Sequence, residues 1–112
     1  MLIYARENVT VTKGGNMTDE EIRKAIGEPA LWEGIAEEAV EFAHAALKVA
    51  RIMRGENPTP AGLPKTMWQA AEEYTDLRIY AGILRIQVDG GVFSDKKERL
   101  VTRLKEAKAC GR

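Results

Sequence analysis

The stretch Ala30–Arg54, ALWEGIAEEAVEFAHAALKVARIMR, decides the fold. It is rich in alanine, leucine, valine and glutamate, and of these alanine, leucine and glutamate are strong helix formers. Pro29 stands where a first helical turn accepts proline, and Gly55 supplies a stop, so the run predicts one long helix. Toward the amino end, Thr18 and Glu21 have the spacing of a capping box, acidic Asp19 and Glu20 suit a positive helix start, and Gly27 ends a short first helix. Toward the carboxyl end, Gly55–Pro64 holds three prolines and two glycines and reads as a loop. A third helix is expected over Lys65–Val88, broken by Asp89-Gly90-Gly91, and a fourth from a Ser94 cap to about Ala109. The fold class is all-α, a four-helix antiparallel bundle.

Residues 1–16 read differently. Leu2–Thr12 contains β-branched Val9, Thr10, Val11 and Thr12, which favour extended chain, but a lone strand is marginal. Lys13-Gly14-Gly15-Asn16 is what an AAGGAGG-type ribosome-binding sequence would encode if translated. The expectation is an arm or translated leader over 1–16, with Met17 the native start and 17–112 the single domain. Mass spectrometry of protein expressed from its own upstream region checks this; finding only the full-length species refutes it.

Two carboxylate groups carry the chemistry. On the long helix Glu38 and Glu41 share a face at about 3.6 residues per turn, with Glu37 beside them; on the next, Glu73 and Asp76 repeat the spacing with Glu72 alongside. Like charges so placed repel by a few tenths of a kcal/mol per pair unless a cation offsets them. A solvated face would interleave Lys or Arg four residues on; instead Glu37, Glu38 and Glu41 are followed at that distance by Glu41, Phe42 and Ala45. Glu41 lies roughly 20 Å from the end of its helix and Glu73 roughly 12 Å from the start of the next, a difference the loop absorbs in an antiparallel hairpin. Glu38, Glu41, Glu73 and Asp76 then face one another as four oxygen donors, the hard ligands that Mg²⁺ or Mn²⁺ prefers. A carboxylate-bridged di-iron bundle also uses such helices, and Glu41-Phe42-Ala43-His44 contains one Glu-x-x-His step. That site needs two, and His44 is the sole histidine.

The bulk composition narrows the partners. Seventeen basic residues balance seventeen acidic ones, so no overall basic field argues for long nucleic acid or an anionic membrane. The lone Cys110 permits no intrachain disulfide, no run is apolar and long enough to span a bilayer, and the expected location is the cytoplasm, the host's if the source is viral. A chain of 112 residues buries only a modest core. Phe42, Leu47, Ile79, Ile83, Leu84 and Ile86, with small Ala39, Ala43, Ala46 and Ala50, offer more apolar surface than a hairpin covers, so a homo-oligomer, dimer or tetramer, is expected to complete the bundle.

Glu-Glu-x-x-Glu on one helix followed by Glu-x-x-Asp on the next resembles the MazG-like all-α nucleoside-triphosphate pyrophosphohydrolases, over about Leu31–Gln87. The run Ile35–Lys48 and the loop Asn57-Pro58-Thr59-Pro60 look like its short phage and bacterial members. The resemblance implies hydrolysis of a (d)NTP between the α and β phosphates, giving the monophosphate and pyrophosphate, with a purine such as dGTP as first substrate. It assigns Mg²⁺, or Mn²⁺ in its place, to Glu38, Glu41, Glu73 and Asp76, and leaves Glu37 or Glu72, Glu37 first, to orient or deprotonate the attacking water or to carry a further metal. Lys48 and Arg51, two and three turns along from Glu41, are candidates for the β and γ phosphates, or else cations complementing a helix end. Trp32 and Tyr80 are candidates to stack on a base, or else core aromatics, and His44 is a candidate substrate contact or a packing residue. The cations of the fourth helix, Lys96 and Lys97 among them, read as a solvated surface or a lid. Two readings compete: a pyrophosphohydrolase of a nucleotide-like metabolite such as phosphoribosyl-ATP, and a metal-free helical interaction module.

Overall fold

The computed structural model describes residues 16–56 and 62–111, and every regular element in them is helical: α1 Asp19–Ile26, α2 Glu28–Met53, α3 Gly62–Ile83 and α4 Gly90–Ala109. The expected extended preference of Leu2–Thr12 and the whole Asn57–Pro60 loop motif lie outside the described residues. No described helix is long and apolar enough to cross a membrane.

The capping box forms as the sequence predicts. Glu21 N–H donates to Thr18 Oγ1 at 3.1 Å and Thr18 N–H donates to Glu21 Oε1 at 2.9 Å, satisfying two of the free donors at the start of α1. Gly27, at φ 95°, turns the chain sharply into α2, where Pro29 sits in the first turn.

α2 and α3 pack antiparallel as a long hairpin, and α1 lies across one end of it, touching both. Each step forward along α2 is matched by a step back along α3, so Leu31 meets Ile83, Gly34 meets Tyr80, Glu38 meets Asp76 and Glu41 meets Glu73. The core sits at the end of the hairpin away from the α2–α3 connection, where α1 crosses. Leu31, Ile83 and Leu84 are buried there, with Ile22, Ile35, Ile79 and Tyr80 packed around them. Arg23 of α1 donates to the Ile83 carbonyl at 2.7 Å, capping the last turn of α3 and fixing α1 against the hairpin.

Three boundaries differ from expectation. α3 begins at Gly62, three residues early, because Pro64 is accommodated in its first turn. α3 also stops at Ile83 rather than Val88. Ile86 N–H bonds to the Ala81 carbonyl at 2.9 Å and Arg85 N–H to the Gly82 carbonyl at 3.0 Å, a Schellman turn with Arg85 left-handed at φ 62°. No glycine marks this stop in the sequence; the Arg85 guanidinium is held by Glu20 at 2.9 Å instead. Finally, α4 is capped by Asp89 and not Ser94: the Asp89 carboxylate accepts from Val92 N–H at 2.9 Å, drawing Gly90 and Gly91 into the first turn.

Among the described residues α4 packs against none of the other helices. Three helices form the packed unit and the fourth stands apart from it.

Candidate metal centre

The carboxylates occupy the middle of the hairpin because the register puts them there. Glu41 is twelve residues before the end of α2 and Glu73 eleven after the start of α3, so the early start of α3 removes most of the mismatch expected from the sequence. One carboxylate oxygen each from Glu38, Glu73 and Asp76 lies within 4.8 Å of the other two. Glu38 and Glu73 are half-buried in the groove and Asp76 is exposed at its rim. Glu41, exposed on the same side, approaches Glu73 closely enough for the two carboxyls to share a hydrogen bond when one is protonated.

Crowding perturbs the two inner acids. Burial holds the Glu38 carboxyl above its ordinary value, and the charges of Glu41, Asp76, Glu73 and Glu37 push it the same way. Glu73 is raised too, by burial first, then by the charges of Glu41 and Asp76, the hydrogen bond with Glu41 and the charge of Glu72. All six acids of the two motifs are therefore in electrostatic contact across α2 and α3. When the cluster is ionised, Glu73 Oε1 is buried with no hydrogen-bond donor, and no other described side chain leaves a buried nitrogen or oxygen so. A buried carboxylate oxygen without a partner is costly; either a proton shared with Glu41 or a bound cation would satisfy it. The donors are all carboxylate oxygens, which fits Mg²⁺ or Mn²⁺ and suits softer, thiolate- or imidazole-loving metals poorly.

Beyond Glu41 and Glu73 the groove opens into a cavity of about 380 Å³ lined by Glu41, His44, Ala45, Lys48, Thr66, Gln69, Glu72 and Glu73. The register continues into it, bringing Ala45 opposite Gln69 and Lys48 opposite Thr66. The Thr66 side chain is buried and spends its proton on the Gly62 carbonyl at 2.7 Å, leaving only acceptor capacity toward the cavity. Gln69 brings both a donor and an acceptor.

Several residues singled out from the sequence thus come together: Glu38, Glu73 and Asp76 in the cluster, Glu41 against Glu73, Glu37 and Glu72 beside them, and His44 and Lys48 in the cavity. Others do not. Trp32 is half-exposed roughly 120° around α2 from Glu38, and Arg51 is exposed outside the cavity lining. Tyr80 shares the Glu73 and Asp76 face, but its ring lies over Gly34 and packs against the Leu31–Ile83 core. Thr66 and Gln69 are not singled out by sequence reasoning, although Gln69 lies four residues and Thr66 seven before Glu73, positions that share its face. A second aromatic contact stands outside the lining: Phe42 and Tyr74 have ring centroids 5.4 Å apart, with the Arg78 guanidinium 5.8 Å from the centre of the Tyr74 ring.

Comparison with protein-family models, curated proteins and solved structures found no match to this chain.

Proposed function

We propose that the chain is a metal-dependent nucleoside-triphosphate pyrophosphohydrolase, converting a (d)NTP and water to the (d)NMP and pyrophosphate, with a purine dNTP such as dGTP the first substrate to try. The observation that carries the reading is the convergence of Glu38, Glu73 and Asp76 from two helices around a buried, unpartnered Glu73 oxygen, beside a cavity that presents Lys48. The order of the motifs, which resembles the MazG-like enzymes, supplies the reaction; the geometry is compatible with it.

Glu38, Glu41, Glu73 and Asp76 would hold Mg²⁺ or Mn²⁺, which when bound supplies Lewis acidity at the phosphates and lowers the pKa of bound water. The protein's own groups do the rest. Glu37, exposed at the edge of the cluster, orients the attacking water or accepts its proton, with Glu72 the other carboxylate in position. Lys48 meets the anionic tail of the substrate from the cavity wall, and a point cation there offsets the acids that surround it. His44, Thr66 and Gln69 offer hydrogen bonds to the uncharged part of the ligand. We also propose that the bundle closes between chains, as a homo-oligomer, because three buried apolar side chains among the described residues make a small core for a chain of this length.

The test is incubation of the purified protein with each dNTP and NTP, with and without Mg²⁺ or Mn²⁺, quantifying pyrophosphate and monophosphate. Metal-dependent release of both in equal amounts, lost in Glu38→Gln, is the expected result. No product from any nucleotide, together with no stabilisation by either metal, overturns the reading in favour of an interaction module.

A further inference from the structure

We propose that α4 is an exchange arm, whose apolar row seats on the outer face of α2 in a second copy of this chain. The inference deepens the reading that the bundle closes between chains and rests on it, while owing nothing to the proposed enzymatic activity.

Two uncovered surfaces within one chain motivate it. On α4, Phe93, Leu100 and Leu104 fall on one stripe at helical spacing, with Val101 beside it, and the three are 57%, 50% and 61% exposed because the helix touches no other. On α2, the face turned away from α3 carries Trp32, Val40 and Leu47, exposed by 51%, 54% and 53%, with Ala36 and Ala43 between them. An alanine-floored row lets a second helix approach closely, and the larger residues at intervals leave holes for knobs. By helical rise the α4 row spans about 16 Å and the α2 row about 22 Å, so one fits within the other.

Charge selects the same pairing. Lys96 and Arg103 border one edge of the α4 stripe and Lys97 and Lys108 the other, whereas Asp95, Glu98 and Glu106 lie on the opposite side of the helix. On the α2 row Glu33 and Glu37 lie along one edge of the amino-terminal half, Ala39, Ala46 and Ala50 lie along the other edge, and Arg51 and Arg54 follow beyond Leu47. Seated with one basic edge along Glu33 and Glu37, the stripe meets opposite charge at that rim and uncharged alanines at the other.

The exit turn makes the seat another chain's rather than its own. The chain leaves α3 through the Schellman turn, with Arg85 held left-handed and tied to Glu20 at 2.9 Å while Arg23 holds the Ile83 carbonyl at 2.7 Å. A turn fixed at both of these points sets the direction of the following residues and carries α4 clear of its own hairpin. Reciprocal exchange gives a two-fold pair with both arms and both seats filled.

The experiment measures molar mass by light scattering across a dilution series for the full chain, Leu104→Glu, Leu47→Glu and their equimolar mixture, with helicity followed by circular dichroism. The expected wild type has twice the 12.4 kDa chain mass or a multiple of that pair. Each variant alone is expected to weaken pairing at least tenfold with helicity retained, and the mixture to recover mixed pairs, since one chain keeps its seat and the other its arm. Leu104→Gln, a milder change, should weaken pairing in the same direction should the glutamate variant misfold. A monomeric wild type overturns the proposal. So does pairing that survives Leu104→Glu, which would indicate hairpin faces alone, pairing that survives Leu47→Glu, which would indicate contact between two α4 helices, or a mixture that stays monomeric.

Discussion

Gly34→Ala is the most informative single substitution, because two effects of opposite sign meet at that position. Gly34 lies inside α2, where replacing glycine by alanine in isolation stabilises a helix by about 1 kcal/mol. Opposite it, however, the Tyr80 ring comes so close that an added Cβ would stand 2.5 Å from Cε1, 2.9 Å from Cζ and 3.2 Å from Cδ1. The ring cannot swing freely, since its other contacts are with the Leu31, Ile83 and Leu84 core. Overpacking of this kind costs about 1–3 kcal/mol, and a clash this deep belongs in the upper half of that range. The helical gain offsets part of it, leaving a net loss of about 1–2 kcal/mol. For a domain of this size that lowers Tm by about 5–15 °C, measurable by circular dichroism. The same change has a functional consequence. Gly34 and Tyr80 each lie one turn from a carboxylate of the facing pair Glu38 and Asp76, so parting the helices there widens the cluster and Mn²⁺ affinity should fall with stability. In a Tyr80→Leu background the added methyl has room, and Gly34→Ala should then stabilise. If Gly34→Ala raises Tm in the otherwise unaltered chain, helix propensity alone governs the site and the close approach of α2 and α3 is refuted.

The proposed metal centre yields two further expectations. Mn²⁺ at ten times its dissociation constant should stabilise the folded chain by about 1.4 kcal/mol. That raises Tm by roughly 6–11 °C; Glu38→Gln and Glu73→Gln should each remove most of the shift, and equal shifts in both variants and the unaltered chain would place the ion elsewhere. The second concerns pH without metal. Glu38 and Glu73 hold their protons more tightly folded than at the ordinary value of 4.5, so their contribution to stability is fully present below that value and lost as pH rises through their folded pKa values. Lowering the pH from neutrality toward 4.5 should therefore raise Tm in EDTA, and Glu38→Gln and Glu73→Gln should flatten the slope; a Tm that falls over this interval in the unaltered chain contradicts the crowding of the cluster.

The helices were legible from local chemistry. Thr18 with Glu21, Pro29 and the alanine-rich run after it act within a turn or two of themselves, so the starts of α1 and α2 follow from neighbouring residues alone. The carboxylate spacing was legible for the same reason: residues three apart on a helix share a face wherever the helix goes. The missed boundaries have non-local causes. α3 ends at Ile83 because Arg23 and Glu20, from a helix some sixty residues earlier in the chain, hold the Ile83 carbonyl and the Arg85 guanidinium, and nothing near Ile83 in the sequence signals it.

The site divides along the same line. Four ligand candidates could be named from their spacing, but their meeting depends on the register between α2 and α3, which is set by side chains filling the space between the helices: Leu31 against Ile83, and Gly34 admitting the Tyr80 ring. That register takes Tyr80 from a candidate stacking residue to the core side of the site, turns Trp32 away from the carboxylates, and adds Thr66 and Gln69 to the cavity. Whether α4 lies on the hairpin is likewise beyond periodicity, since an apolar stripe requires a partner without specifying which one. Local hydrogen bonding and backbone preference choose the helices within a few residues; complementary packing between residues distant in the chain chooses which of their faces meet.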